Sequence, residues 1–223
     1  MRRFAAPCRN SSFDRGACRC GRAGYGCCGV RNGHLVGISL GGWVALQLAS
    51  RGRARSVVGL SPAGGWLHGS RDGRRILRYF RRNYLLLRAG RPFFNTVASR
   101  PRARALALRD LVANPGSVPP AAALALIRGA ADCPAYTEAL RMARSEGLGD
   151  LEPVECPVLI AWGTRDALLC WPRYSQRFGD FLPDAEFVEL PGLGHLPQWD
   201  DPTLVARTIL ELTTQIEATP TAA

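Results

Sequence analysis

Apolar residues fall in short runs bounded by glycine and proline, and the runs switch between two periods. His34-Leu35-Val36-Gly37-Ile38 reads as a short buried strand. Past Ser39 the pattern becomes helical: Trp43, Ala45, Leu46, Leu48 and Ala49 recur at helix spacing, and Gly52 supplies a stop. Three more runs, Ser56–Leu60, Pro157–Trp162 and Ala185–Leu190, predict buried strands. Tyr174, Phe178 and Phe181 mark a helix connecting the last two. Between the second and third strands the pattern predicts helices near 72–89, 101–113, 119–131 and 134–146, broken at Pro92, Pro101, Pro115, Pro119, Pro120 and Pro134. Strands alternating with helices predict an α/β fold, with a parallel sheet of about four strands and helices on both faces. The expected core is 34–61 plus 150–217, with a helical insertion at 62–149.

Residues 1–33 show neither period. Five of the eight cysteines lie there, Cys8, Cys18, Cys20, Cys27 and Cys28, among Arg, Gly, Ala and Ser. Cys18-Arg19-Cys20 and the adjacent Cys27-Cys28 pair lack zinc-finger spacing. Three readings stand: an out-of-frame or mis-started translation of GC-rich DNA, which we favour; a disordered leader; or a metal or redox module. The start is basic but has no apolar core behind it, so no signal peptide is read and a cytoplasmic location is expected. No run of 18 apolar residues suggests a membrane span.

The net charge is +11, and all 29 basic residues are arginine. Codon bias explains the missing lysine better than selection for a binding surface. Most of the excess lies in 62–149, with fifteen arginines against five acids. No nucleic-acid motif accompanies it, so no nucleic-acid partner is expected. A solvated basic helix face is the plainer reading.

The candidate chemistry starts at Gly37-Ile38-Ser39-Leu40-Gly41-Gly42. Strand, tight turn and helix are the context in which Gly-x-Ser-x-Gly has a mechanism. The serine stands at the top of the turn on a strained backbone. Positions two before and two after it come close, which predicts that both Gly37 and Gly41 must be small. Gly42 lets the helix approach the sheet, and Leu40 N–H can donate to an oxyanion. Neither a P-loop nor a dinucleotide fingerprint fits.

A serine hydroxyl needs a base, and the base needs an oriented carboxylate. The strand ending at Trp162 runs into Gly163-Thr164-Arg165-Asp166. The strand ending at Leu190 runs into Pro191-Gly192-Leu193-Gly194-His195. Acid and base therefore sit past the ends of neighbouring strands, where α/β sites are built. His34 precedes its strand, at the wrong end of the sheet, and His68 lies in the insertion. Asp200 or Asp201 reads as a helix cap before Pro202.

Gly-Ile-Ser-Leu-Gly-Gly, Trp-Gly-Thr-Arg-Asp and Pro-Gly-Leu-Gly-His-Leu-Pro-Gln-Trp-Asp-Asp-Pro resemble the elbow, acid loop and histidine loop of the α/β-hydrolase fold family, in its serine esterase/lipase-like branch. The resemblance implies a triad of Ser39, Asp166 and His195, with Leu40 as oxyanion donor, acting on a small acyl substrate without metal or cofactor. It implies that 62–149 is a cap, with Trp66, Phe93, Phe94 and Tyr136 as candidates for its lining or simply its core. Serine at 39 argues against dehalogenase-type members, which carry aspartate there. Full members have strands before the elbow and a second oxyanion donor, and nothing in 1–33 matches them. The expectation is a partial fold, N-terminally truncated, weakly active or inactive and poorly soluble. Acyl transfer, C–C bond hydrolysis and a non-catalytic product are the alternatives.

Overall fold

A computed structural model describes residues 32–145 and 151–218. The leader assigned to 1–33 therefore lies outside the described residues, apart from its last two. Gly33 opens the first strand.

Among the described residues, four strands form one parallel sheet in the order β1 (Gly33–Ile38), β2 (Ala54–Leu60), β3 (Val158–Gly163), β4 (Glu186–Leu190). Side chains alternate across a strand, and two buried clusters separate accordingly. Leu35, Val57, Val158, Ile160 and Trp162 face one side, where α1 (Leu40–Ala49) packs through Trp43 and Leu46. Val58, Leu60, Leu159, Ala161 and Leu190 face the other, where α8 (Pro202–Ala218) packs through Val205 and Leu212. Both strand faces are covered, which is why β2 and β3 read as continuous apolar runs. Gly52, at φ 67°, ends α1 by donating its N–H to Ala49 O at 2.8 Å.

Between β2 and β3 lie α2 (Arg71–Gly90), α3 (Phe94–Ser99), α4 (Pro101–Leu108), α5 (Pro120–Asp132) and α6 (Tyr136–Ser145). Ser70 caps α2, accepting from Gly73 N–H at 3.1 Å. These helices carry their own apolar centres. Phe94 packs with Ile127 and Ala131, and Leu108 and Val112 pack with Val118 and Ala123. Two details differ from the periodicity. The helix expected over 101–113 stops at Leu108, and α3 had no separate signal because Pro92 and Pro101 bracket only six helical residues. The connecting helix α7 spans Gln176–Phe181. Among the described residues, no helix is long and apolar enough to cross a membrane.

Candidate active site

Parallel strands deliver their C-terminal ends to one rim, and Ser39, Asp166 and His195 follow β1, β3 and β4 there. Ser39 stands between β1 and α1 at φ 53°, ψ −120°. A non-glycine residue with positive φ costs about 1–3 kcal/mol and persists only where its surroundings enforce it. Here the backbone is held from several sides. Ser39 N–H donates to Leu60 O at 3.0 Å, and Ser39 O accepts from Trp43 N–H at 3.2 Å and Ala63 N–H at 2.9 Å. The helix that begins at Leu40 aims its positive end at this turn.

The elbow glycines are not equivalent. A Cβ on Gly37 would lie 2.2 Å from Gly41 O, and one on Gly42 would lie 2.9 Å from Pro62 Cβ. A Cβ on Gly41 would meet nothing within 4 Å among the described residues. The expectation that Gly41 must be small is therefore corrected. The close approach is between the carbonyl of residue 41 and the α-carbon of residue 37, so of these two only Gly37 carries a steric demand among the described residues.

His195 and Asp166 are brought into direct contact. His195 Nδ1 lies 2.8 Å from Asp166 Oδ2, with side chains 2% and 0% exposed. The other carboxylate oxygen accepts from Leu168 N–H at 2.9 Å and Leu169 N–H at 2.7 Å. Those two backbone donors fix the carboxyl group's rotamer. A carboxylate only accepts, so Nδ1 carries a proton, and in the neutral imidazole Nε2 is then the nitrogen with the lone pair. The loop is pinned from below by Trp162, whose Nε1–H donates to Leu169 O at 2.7 Å. No hydrogen bond joins Ser39 Oγ to His195. Such contacts are often long before substrate binds.

Three features of the rim were missed at the level of sequence. Asp200 is not a helix cap. Its carboxylate accepts from Gly194 N–H at 2.8 Å, Asn114 N–H at 2.8 Å and Ala113 N–H at 3.0 Å, tying the helical layer to the residue before His195. Asp201 takes the cap role instead, accepting from Leu204 N–H at 2.8 Å. Gly163 is a contact residue: a Cβ there would sit 2.4 Å from Leu193 O, so the acid strand and the histidine loop touch through backbone. Ser61, at φ 41° and fully buried, begins the loop that braces Ser39, and its hydroxyl has no partner among the described residues. Of these, only Ser61 lies just past a strand end, that of β2.

The four aromatic candidates for the lining or core of the cap differ in burial and contacts. Phe94 is buried inside the helical layer, while Phe93 is 63% exposed. Trp66 meets Tyr174 edge-on at 6.0 Å. Tyr136 stacks on Tyr84 at 4.7 Å and donates to Phe80 O at 3.2 Å, and burial pushes its hydroxyl up to about 12. Among the described residues, no cluster of three or more His, Cys, Asp or Glu could hold a metal ion.

A sequence profile of the alpha/beta hydrolase family matches residues 11–208. The chain belongs to that family. This family member is 34% identical over 183 residues to the epoxide hydrolase EphH of Mycobacterium tuberculosis, covering 81% of this chain and 86% of that protein. Family and relative together make it a hydrolase. Among solved structures it resembles a membrane phospholipase A, with a TM-score of 0.63 and 20% identity, over 94% of this chain and 66% of that one. It also resembles the 2-hydroxy-6-oxo-6-phenylhexa-2,4-dienoate hydrolase of a Rhodococcus species, with a TM-score of 0.58 and 19% identity, over 83% of this chain and 65% of that one. The chain thus spans just under two thirds of the length of these two hydrolases. At such identities the likeness concerns the fold alone, and the matched profile begins inside the segment assigned to the leader.

Proposed function

We propose that this α/β hydrolase cleaves a carboxylic ester or related small acyl compound, with Ser39 as nucleophile, His195 as base and Asp166 as the residue that fixes the imidazole tautomer. The observation that carries the reading is a serine held at positive φ on a strand-to-helix turn, on the same rim as a buried His195–Asp166 pair. Ser39 Oγ attacks the carbonyl carbon while its proton passes to His195 Nε2. Leu40 N–H stabilises the oxyanion from the helix N-terminus. The protonated imidazole then gives its proton to the leaving alcohol as the acyl-enzyme forms. Water attacks that acyl-enzyme with His195 again as base, and the acid leaves. The helices of 62–149 serve as a cap that limits water at this rim.

The epoxide hydrolase relative favours a second reading, and bond chemistry weighs against it. Attack of a serine oxygen on an epoxide carbon would leave a β-hydroxyalkyl ether. An ether has no carbonyl for water to attack, so the enzyme would be trapped after one turnover. An acyl-serine is hydrolysed by the same base that formed it. Acyl transfer and C–C bond hydrolysis use the same residues and differ only in what arrives or leaves.

The test is a series of p-nitrophenyl esters and a styrene oxide control, together with fluorophosphonate labelling. Ester turnover and a label on Ser39 are expected, both lost in Ser39→Ala by at least about 1,000-fold in rate. Epoxide turnover that persists in Ser39→Ala would sink the proposal. Products formed with an added alcohol or thiol acceptor separate hydrolysis from transfer.

A further inference from the structure

The basic helical layer contains a built cleft beside the acid loop. Arg75, Arg78 and Arg82 follow one another at three- and four-residue intervals along α2, so they share one face. They line an opening of about 620 Å³, and Arg109 lines it from just beyond α4. Among the described residues lining the cleft, one carboxylate, Asp110, faces these four guanidinium groups, and it is already engaged. Its Oδ2 accepts from Tyr79 OH at 3.2 Å, and its Oδ1 lies 3.5 Å from Arg109 Nε. Arg75 and Arg78 pair with no carboxylate among the described residues. The base of the cleft is apolar, formed by Ile76, Leu168 and the ring of Tyr79.

Like charges gathered round one opening repel, and the arrangement is relieved when an anion enters. Guanidinium forks match phosphate and carboxylate oxygens two at a time. An inorganic ion would leave Ile76 and Leu168 uncovered. A neutral apolar molecule would leave the arginines uncompensated. We propose that this cleft binds a small organic anion, its phosphate or carboxylate held by Arg75, Arg78, Arg82 and Arg109 and its aryl or alkyl body lying on Ile76, Tyr79 and Leu168. The site adjoins Asp166 through Leu168 but contains neither Ser39 nor His195. It therefore stands or falls separately from the acyl chemistry.

The experiment uses the full chain as Ser39→Ala, which removes turnover, in a dilute amine buffer. Phenyl phosphate, benzoate, inorganic phosphate and benzyl alcohol are titrated by calorimetry. Saturable binding is expected for phenyl phosphate or benzoate, and the tighter of the two identifies the anion. Benzyl alcohol should bind at least about tenfold more weakly, and so should inorganic phosphate, which lacks the apolar body. Adding Arg75→Gln and Arg78→Gln should weaken the organic anion about 10- to 100-fold, the loss of one or two charge-assisted contacts. Both side chains are exposed, so the variant keeps its fold and, without ligand, melts no lower than its parent. Absence of saturable binding by both organic anions, equal binding by benzyl alcohol, or equal binding by the double variant overturns the proposal.

Discussion

At the scale of single residues, the elbow separates what a motif states from what a contact requires. Gly37 and Gly41 are symmetric in the pattern, yet only Gly37 has a carbonyl where its Cβ would go. Gly37→Ala should cost roughly 1–3 kcal/mol or more through overpacking against Gly41 O, and should abolish ester turnover by shifting Ser39. Gly41→Ala should retain activity and gain up to about 1 kcal/mol, since residue 41 lies in α1 and alanine favours helix. Denaturant midpoints with parallel ester assays measure both. Equal damage from the two substitutions would refute the asymmetry. Asp166→Asn makes the complementary test. With its oxygen kept toward the Leu168 and Leu169 N–H groups, the amide turns its NH2 to His195 Nδ1, which must then accept, so the ring proton moves to Nε2 and the lone pair that would take the Ser39 proton is lost. Turnover should fall about 1,000- to 10,000-fold while the fold persists. Ser39, Asp166 and His195 could be placed on one rim from sequence because each comes shortly past the C-terminal end of a strand in one parallel sheet.

At the scale of elements, legibility ends where a side chain serves a segment distant in sequence. The sequence read either Asp200 or Asp201 as the cap before Pro202. The structure divides them, giving the cap to Asp201 and assigning Asp200 to Ala113, Asn114 and Gly194. Two of those partners lie more than eighty residues upstream, and no local period reports such a pairing. The same bond accounts for the overextended helix at 101–113. The chain leaves α4 after Leu108, and the amides of Ala113 and Asn114 find their acceptor in Asp200 instead of a further helical turn. Asp200→Asn keeps Oδ1 as an acceptor but replaces Oδ2, which serves both Ala113 and Gly194. We expect a loss of roughly 1–3 kcal/mol for the donors left unpaired. Turnover should fall more than KM changes, because His195 follows Gly194 directly. Unchanged turnover in a destabilised Asp200→Asn would restrict Asp200 to holding the helical layer.

At the scale of the whole molecule, each end of the sheet gathers a serine, a histidine and a carboxylate, and among the described residues only the end opposite Ser39 joins all three in a chain of hydrogen bonds. At the end opposite Ser39, His34 Nδ1 lies 2.7 Å from Ser56 Oγ, and His34 Nε2 lies 2.8 Å from Glu217 Oε1, which Arg55 also reaches at 2.8 Å. Residue types alone would qualify this as a second site. Burial decides against it: Ser56 is fully enclosed, so no substrate reaches its hydroxyl, whereas Ser39 is only partly buried. A fluorophosphonate should therefore label Ser39 and leave Ser56 untouched. What the lower chain does is tie the last turn of α8 to β1 and β2. The His34 hydrogen bond holds the Glu217 carboxyl below its usual range, with the Arg55 charge adding to the effect. A carboxyl whose folded value is depressed stabilises the fold above its unfolded value, and that contribution disappears as the pH falls through the folded one. Glu217→Gln should thus lower the melting temperature at neutral pH, and the gap from the parent should close below about pH 4. Ester turnover should be unaffected, because the substitution lies at the opposite end of the strands from Ser39. A gap that stayed constant into acid would mean that Glu217 acts by packing instead of charge.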